Sequence, residues 1–331
     1  MEEKFDFNDI LIKQASLSKI ISRKNINPFY NGLLPLFTAP MDTVINDDNK
    51  EIFKNLKINI CMPRGEDCED GFASYSLDDI FGKYLSNSLQ PSGKYLIDVA
   101  NGNMINLIET TKLIKSRYPN IMLMVGNIAN PDAYVALSNA GADYVRCGIG
   151  NGGACSTSYH TAIGFPQASL ISEIYKASCT LANPAKIVAD GGMQTYSDII
   201  KSLGLGADFV MVGSIFNKAI ESCGPNYLWN KIRVPQSIAE QAYEFGIPVY
   251  KKFRGMSTKE VQLDWGKTKL TTSEGVIRYR RVEYTLAQWV ENFEDYLRSA
   301  MSYTNAESLD KFIGKVDIIR ITNNAYNRFK K

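Results

Sequence analysis

Short apolar runs recur along the first two thirds of the chain, and longer segments with helical periodicity separate several of them. Two of the runs, 121–125 and 209–212, are continuously apolar, which is typical of strands buried on both faces. The predicted strands cover residues 34–39, 58–62, 72–76, 95–99, 121–125, 143–147, 186–190 and 208–212. The predicted helices between them cover residues 104–117, 132–140, 169–182 and 197–203.

The alternation of strands and helices predicts an α/β fold whose parallel strands close into a (β/α)8 TIM barrel. An open, doubly wound sheet is the alternative, but nothing would stop such a sheet at eight strands. The connection from Met62 to Phe72 is too short for a full helix. One crossover of the barrel is therefore expected to be abbreviated.

The pattern changes after Val212. Residues 225–290 are mixed, polar and turn-rich, and 249–282 is interpreted as a long loop or flap carried on the barrel. Residues 285–301 have amphipathic helical periodicity and begin a C-terminal helix and tail over 285–331. The sequence therefore predicts a single barrel domain over residues 1–331.

The composition is that of an ordinary globular protein, since 45% of the 331 residues are hydrophobic and the formal net charge is +2. A near-neutral chain lacks the positive field of a nucleic-acid-binding protein, and no apolar run approaches the ~18 residues that span a bilayer. An acidic N-terminus without secretory features and six scattered cysteines without a CxxC pair predict a cytoplasmic location. His160 is the only histidine, which disfavours a Cys/His zinc site and most triads unless His160 is the base.

Active sites of such barrels form at the C-terminal ends of the strands. Asp190-Gly191-Gly192 follows the seventh predicted strand and Gly213-Ser214 the eighth, where these barrels often bind phosphate. Glycines let backbone N–H groups approach phosphate oxygens, and Asp190 could accept hydrogen bonds from a ribose diol. The alternative is that the glycines only form tight turns that require a positive φ angle.

The strongest local feature is the glycine-rich loop 147–157, which carries Cys155. A thiol in such a loop can ionise and attack an electrophilic carbon, and Thr157 could relay a proton if a carboxylate orients it. Uncovered backbone carbonyls in the loop could also hold a monovalent cation. The alternative is a flexible loop with an incidental cysteine, and Cys147, at a strand end, is interpreted as a core residue.

Several segments resemble, in the correct order, the signatures of the IMP dehydrogenase / GMP reductase family. They are DFNDILI (6–12) with Ser22-Arg23, APMDTV (39–44), IDVANG (97–102), GNIAN (126–130), GIGNGGACSTSYHTAIGFPQ (148–167), ADGGM (189–193), GADFVMVGS (206–214), YKKFRGMS (250–257) and SEG (273–275). The likeness extends over nearly the whole chain. It implies a (β/α)8 barrel that is usually a tetramer, so a homotetramer is expected.

Within the family, the chain resembles the GMP reductase branch. IMP dehydrogenases usually carry an inserted two-repeat regulatory module, and this chain has no room for one. The segments IDVANG and FIGKVDIIRITNNAYN (312–327) also favour the reductase. So does the short flap segment between Ser257 and Glu274, which lacks the dehydrogenase's Arg-Tyr pair. The chain is thus identified as a divergent member of that branch.

The resemblance implies NADPH-dependent reductive deamination of GMP, or of a close 2-aminopurine nucleotide, to IMP and ammonia. Cys155 would attack C2 of the purine and form a thioimidate, Thr157 with Glu274 would move the protons, and hydride from NADPH would release IMP. The implied nucleotide contacts are Asp190, Gly191, Gly192, Gly213, Ser214, Gly255, Met256, Ser257, Ser273 and Gly275. The implied dinucleotide contacts are Ser22, Arg23, Asp98, Val99, Ala100, Ile149 and Gly150. The carbonyls of Gly150, Gly152 and Cys155 match the family's potassium loop.

Departures from the family cluster around the purine base and the hydride donor. Where GMP reductases carry a His-Lys-His segment whose Lys contributes to the chemistry, this chain has residues 61–64, CMPR, and Arg64 stays protonated. The other substitutions are Thr271 and Ser158, each in place of an Arg, and Asn151 and Gly153, in place of Pro and Ser. Two alternatives therefore stay open: an IMP dehydrogenase, and a paralogue of altered specificity that acts on a modified or deoxy purine nucleotide or has no standard turnover.

Overall fold

The computed structural model describes residues 2–229 and 231–329 and contains an eight-stranded parallel sheet. The strands are β1 (Ile10–Ile12), β2 (Leu36–Thr38), β3 (Cys61–Met62), β4 (Phe72–Tyr75), β5 (Lys94–Asp98), β6 (Met122–Ile128), β7 (Tyr144–Cys147), β8 (Lys186–Asp190), β9 (Phe209–Val212), β10 (Asn226–Leu228), β11 (Arg233–Val234), β12 (Val249–Arg254), β13 (Ile277–Arg281) and β14 (Ile318–Arg320). The helices are α1 (Lys50–Asn55), α2 (Leu77–Leu85), α3 (Ile105–Arg117), α4 (Pro131–Asn139), α5 (Thr157–Thr161), α6 (Gln167–Ser178), α7 (Tyr196–Leu205), α8 (Gln236–Glu244), α9 (Lys259–Asp264), α10 (Leu286–Tyr303), α11 (Leu309–Phe312) and α12 (Asn323–Phe329).

The eight predicted strands form a barrel, with strand ends that differ from the predicted ones by at most three residues. The order is β2-β9-β8-β7-β6-β5-β4-β3, and every neighbouring pair is parallel. The two outer strands approach each other where Thr38 N donates to Asn59 O (3.0 Å) and Asn59 N to Leu36 O (3.0 Å). This contact closes the sheet, so the (β/α)8 barrel is confirmed and the open, doubly wound sheet is wrong.

The connections between barrel strands follow the prediction with additions. Helices α3, α4, α6 and α7 lie at the predicted positions, and residues 63–71 between β3 and β4 contain no helix, which confirms the abbreviated crossover. Three helices between barrel strands were not predicted, α1, α2 and α5. Helix α1 has six residues, too few to show a helical period, whereas α2 begins after Ser76, whose hydroxyl accepts a hydrogen bond from Asp79 N.

Aromatic side chains fill the interior of the barrel. Phe37 on β2 is 1% exposed and lies at the centre of the group, with ring centroids 5.1 to 5.9 Å from those of Phe209, Phe72 and Tyr144. These rings meet mostly edge to face, the arrangement that aromatic quadrupoles favour. The interior near the middle of the strands is therefore solid, and open space is confined to the strand ends.

A second, antiparallel sheet corrects the prediction of a loop over residues 249–282. Its order is β11-β10-β12-β13, and helix α8 packs on it. Strand β12 alternates buried and partly buried residues, with Val249, Lys251 and Phe253 inward. Lys251 hid this period because a lysine is rarely buried. Burial lowers its pKa to about 8, and its ammonium group donates to Ser222 O (2.6 Å) and Gln236 Oε1 (3.2 Å).

The C-terminal segment packs on the outside of the barrel. Helix α10 extends the predicted helix 285–301 by two residues, is capped by Thr285, and buries Trp289 and Phe293. Strand β14 pairs with β1, which joins the two ends of the chain. Residues 330 and 331 of the predicted tail lie outside the described residues, and the single-domain organisation stays a prediction. No helix of the described chain has the length and apolar character to cross a bilayer.

We expect Phe37→Ala to lower the free energy of unfolding by about 3–5 kcal/mol, because it leaves a cavity among packed rings. Urea unfolding followed by circular dichroism measures the change. Phe245→Ala is the matched control, since Phe245 is 83% exposed and its loss should change the free energy by no more than about 0.5 kcal/mol. Equal effects of the two substitutions would contradict the solid interior.

Candidate active site

A cavity of about 460 Å³ opens at the C-terminal ends of the barrel strands, beneath the flap. It is lined by most of the residues that the sequence singled out: Asp98, Val99, Ala100, Ile149, Gly150, Gly152, Cys155, Thr157, Asp190, Gly191, Gly192, Gly213, Ser214, Gly255, Met256, Ser257 and Glu274. Four of the singled-out residues do not line it: Ser22, Arg23, Ser273 and Gly275. The structure thus brings together side chains from segments far apart in sequence.

Cys155, Thr157 and Glu274 form a chain of hydrogen bonds. The Cys155 thiol donates to Thr157 Oγ1 (3.2 Å), and that hydroxyl donates to Glu274 Oε2 (2.7 Å). All three side chains line the cavity. The arrangement gives the thiol a route for its proton to a carboxylate, which is the requirement for an activated sulfur nucleophile.

Backbone pairing between the cysteine loop and the flap holds Glu274 in place. Ser156 N donates to Glu274 O (2.7 Å), and Val276 N donates to Ala154 O (2.9 Å). The neighbouring Gly255 lies so close that a Cβ there would be 2.5 Å from Ala154 O, so a side chain is excluded at this position. The carboxylate that faces the thiol is therefore carried by the flap and not by the barrel.

The glycines after β7 and β8 allow two loops to touch. A Cβ on Gly148 would lie 2.0 Å from Asp190 O, and a Cβ on Gly191 would lie 3.0 Å from Gly152 N. Both glycines also have positive φ angles, of 142° and 83°. Both glycines are therefore turn residues, and the loops that they form also line the cavity.

A buried guanidinium that the sequence analysis missed forms the floor of the cavity. Arg146 on β7 donates through Nη1 to Asp98 Oδ1 (2.7 Å) and through Nη2 to Asp190 Oδ2 (2.9 Å), and Asn127 Nδ2 also donates to Asp190 Oδ2 (2.8 Å). Burial by itself would lower the pKa of Arg146, but Asp190 and Asp98 outweigh it and raise the pKa. One feature of the sequence could have indicated this residue: Arg146 is a charged residue within YVRC (144–147), a segment otherwise typical of a buried strand. No described residue bonds to Asp190 Oδ1, which leaves that oxygen for a ligand.

Arg64 lies at the opposite side of Asp98. Its Nε is 3.3 Å from Asp98 Oδ2, its Nη2 donates to Asp98 O, and its guanidinium lies 5.1 Å from the ring centroid of Trp265 in the flap. Arg64 thus places a positive charge at the end of β3, as the sequence suggested. Its guanidinium pairs with Asp98 and stacks on the indole ring of Trp265. Trp265 was also missed, because a tryptophan after a short surface helix has no distinctive pattern.

Thr271, which stands in place of a family arginine, is bound within the flap. Its N–H and hydroxyl both donate to Gln262 Oε1, at 2.8 and 3.2 Å. Ser273 is similarly local, since its hydroxyl donates to Gly275 O (2.8 Å). These side chains shape the flap and contribute no charge to the cavity.

The potassium loop is incomplete within this chain. Of the three expected carbonyls, that of Gly152 accepts a hydrogen bond from Cys155 N (2.9 Å), and hard cations usually need six or more oxygen ligands. Within residues 2–229 and 231–329, no group of three or more His, Cys, Asp or Glu side chains is placed to hold a metal ion. A potassium site at these carbonyls stays a prediction.

Two further predictions concern residues outside the cavity. Ser22 caps a short 3-10 helix by accepting from Lys24 N (3.3 Å), and that helix packs beside α10, so a dinucleotide contact of Ser22 or Arg23 stays a prediction. His160 is exposed on α5 against the ring of Tyr159 and does not line the cavity. It is therefore not the base for Cys155 in this arrangement.

Comparison with known proteins gives a consistent result. Residues 94–329 match the family model described as IMP dehydrogenase / GMP reductase domain. The chain is 30% identical to GMP reductase of Staphylococcus carnosus over 98% of both chains, and 26% identical to GMP reductase 2 of Mus musculus over 96% of this chain and 94% of the relative. It is also 31% identical to inosine-5'-monophosphate dehydrogenase of Borreliella burgdorferi, over 65% of this chain and 51% of the relative.

The network around Arg146 gives a stability prediction. Arg146→Met keeps much of the volume but leaves the Asp190 carboxylate without a cation, so we expect the free energy of unfolding to fall by about 3–5 kcal/mol. Urea unfolding at neutral pH measures the fall. Arg278→Met, on the exposed face of β13, is the control and should stay within about 0.5 kcal/mol of the parent. A similarly small change at Arg146 would contradict the assigned ion pairs.

Proposed function

Because the chain belongs to the IMP dehydrogenase / GMP reductase family, as a divergent member of the GMP reductase branch, we propose that it reductively deaminates GMP, or a close 2-aminopurine nucleotide, to IMP and ammonia. At the coarser level, family membership makes it an oxidoreductase of purine nucleotides that uses a nicotinamide cofactor. NADPH is the cofactor that we propose, and the hydrogen-bonded chain Cys155–Thr157–Glu274 is the observation that supports the reaction.

In the first step, the sulfur of Cys155 adds to C2 of the purine. The thiol proton passes to Thr157, whose own hydroxyl proton moves to Glu274. Glu274 then returns a proton, through Thr157, to the departing 2-amino group. A C2–S bond forms, the C2–N bond breaks, and ammonia leaves. The product is a thioimidate on Cys155, in which carbon has the same oxidation state as before.

In the second step, C2 of the thioimidate would accept a hydride, which is the chemistry that bound NADPH would supply. The C2–S bond then breaks, IMP is released, and the thiolate of Cys155 takes up a proton from solvent by way of Glu274 and Thr157. Asp98, Val99, Ala100, Ile149 and Gly150 would hold the cofactor. They fit such a group because they line one side of the same cavity as the thiol.

The remaining lining residues suit a nucleoside monophosphate. The N–H groups around Gly191, Gly192, Gly213 and Ser214 provide donors for phosphate oxygens, and Asp190 Oδ1 is free to accept from a ribose hydroxyl. The flap residues 255–257 cover the cavity from above. Further contacts from Ser273 and Gly275, a homotetramer, a bound potassium ion and a cytoplasmic location remain predictions.

The position of Arg64 supports a second candidate. In this branch a Lys is expected to move a proton at that place, whereas Arg64 stays charged and is paired with Asp98 and stacked on Trp265. A modified or deoxy 2-aminopurine nucleotide as substrate would fit a cavity changed at this end. An IMP dehydrogenase is less well supported, since the flap segment between Ser257 and Glu274 offers no Arg-Tyr pair to activate water.

The first experiment is to follow absorbance at ~340 nm with GMP and NADPH, and in parallel with IMP and NAD. We expect NADPH oxidation with release of ammonia, and Cys155→Ala should lower kcat by at least about 10³-fold while GMP still binds. Cys179→Ala, at an exposed cysteine, is the matched control and should be fully active.

Each other outcome of that experiment points elsewhere. Normal turnover by Cys155→Ala would overturn the covalent mechanism. NAD reduction with IMP, and no reaction with GMP, would assign the dehydrogenase. No reaction in either assay, with GMP still bound, would favour a modified or deoxy nucleotide.

Glu274→Gln tests the proton route. The amide cannot take up the thiol proton, so we expect deamination to slow by about 10²- to 10⁴-fold. Mixing NADPH with the preformed thioimidate in a single turnover reports hydride transfer without loss of the thiol proton, and this partial reaction should change far less. Equal loss in both partial reactions would contradict the assigned role, and Glu291→Gln, on the exposed face of α10, should alter neither.

A further inference from the structure

Arg280 on β13 is a guanidinium without a partner. Among the described residues its side chain makes no hydrogen bond and no ion pair, and its Nε is shielded from solvent. The two neighbouring arginines of the strand, Arg278 and Arg281, are exposed, whereas Arg280 is half-buried. A cation whose Nε is shielded and unpaired carries a desolvation cost, which an anion bound beside it would offset.

The guanidinium lies against the phosphate end of the cavity. Its Cζ is 5.0 Å from the ring centroid of Phe253. The position that a Cβ of Gly153 would occupy is 2.9 Å from Arg280 Nη2 and 3.6 Å from Ser214 Oγ. Gly153, Ser214 and Phe253 all line the cavity, so the charge sits directly behind residues that face a ligand.

The surrounding charges leave Arg280 free to bind an anion. Burial lowers its pKa, and Arg278 lowers it further, while Glu283 acts in the opposite direction. Glu283 is itself paired with Lys218 at 2.9 Å. An arginine nevertheless stays protonated at neutral pH, and its planar set of N–H donors matches phosphate geometry.

The absence of a side chain at Gly153 belongs to the same arrangement. The family loop resembled by this chain has Ser at this position, and a side chain there would meet Arg280 Nη2. Loss of the Ser hydroxyl removes one neutral donor from the loop. The space beside it is taken by a charged donor from a different element, the strand β13.

We propose that Arg280 binds the 5′-phosphate of the nucleotide substrate, together with the backbone donors at Gly213 and Ser214. The proposal rests on the proposed function, since it takes the substrate to be a purine nucleoside monophosphate. It adds a residue from outside the barrel to the determinants of substrate choice: Arg280 selects the phosphorylated form over the free nucleoside.

The test is calorimetric titration of GMP and of guanosine into the parent protein, Arg280→Gln and Arg281→Gln, without cofactor. A hydrogen-bonded charge pair with phosphate predicts that Arg280→Gln weakens GMP binding by about 10- to 100-fold. Guanosine, which has no phosphate, should bind all three proteins within about twofold of one another. Arg281→Gln should bind GMP like the parent, and Arg280→Lys should recover part of the lost affinity.

Three outcomes would overturn the proposal or its premise. Binding of GMP by Arg280→Gln within about twofold of the parent would show that Arg280 only packs on Phe253. An equal loss for GMP and guanosine would show a change of cavity shape instead of a lost phosphate contact. A parent protein that binds neither GMP nor IMP would overturn the proposed function itself, before any variant is compared.

Discussion

The ion pairs of Arg146 with Asp98 and Asp190 are the constraint on which the cavity depends. They join the ends of three barrel strands, β5, β7 and β8, at the level where the apolar interior stops. Apolar side chains of similar volume would often stabilise a fold as well or better. A barrel filled that way to its upper end would, however, have no polar floor on which a sugar or a nicotinamide ring could lie. The polar network therefore gives up some apolar packing but holds the Asp190 side chain in one orientation. Asp190 Oδ2 accepts hydrogen bonds from Arg146 and Asn127, and Oδ1 accepts none from the described residues.

The sequence could predict the barrel because its strands are short, apolar and regularly spaced, and because glycine and polar residues collect at one end of each. It could also predict that Cys155 lies in the candidate site, since a cysteine among glycines at the end of a barrel strand is conspicuous. Pairing between residues far apart is a different matter. Thr157 and Glu274 are 117 positions apart, and only the hydrogen bonds between the cysteine loop and the flap show that they meet.

The residues that the sequence did not reveal share a physical cause. Arg146, Lys251 and Arg280 are cations whose side chains are removed from solvent, and sequence patterning assigns cations to the surface. Lys251 interrupts the alternating apolar pattern of strand β12, so the strand was not predicted. Arg146 lies in strand β7, whose other residues have the character of a buried strand. The surroundings of each are made by residues of other elements, which periodicity along one element cannot identify. Ser22 and Arg23 are the opposite case. The sequence motif matches the family, but the two residues do not line the cavity of this chain.

In the proposed mechanism the flap carries the proton acceptor, Glu274, and this links the position of the flap to the reactivity of the thiol. Glu274 reaches Thr157 only while residues 274–276 pair with the backbone of the cysteine loop, the same pairing that covers the cavity. Any opening wide enough to admit a nucleotide from that side separates the carboxylate from the hydroxyl. The thiol is then left without a group that can accept its proton during attack, which makes it a poorer nucleophile. In the proposed mechanism, the reactivity of the Cys155 sulfur therefore depends on whether the flap is closed over the cavity.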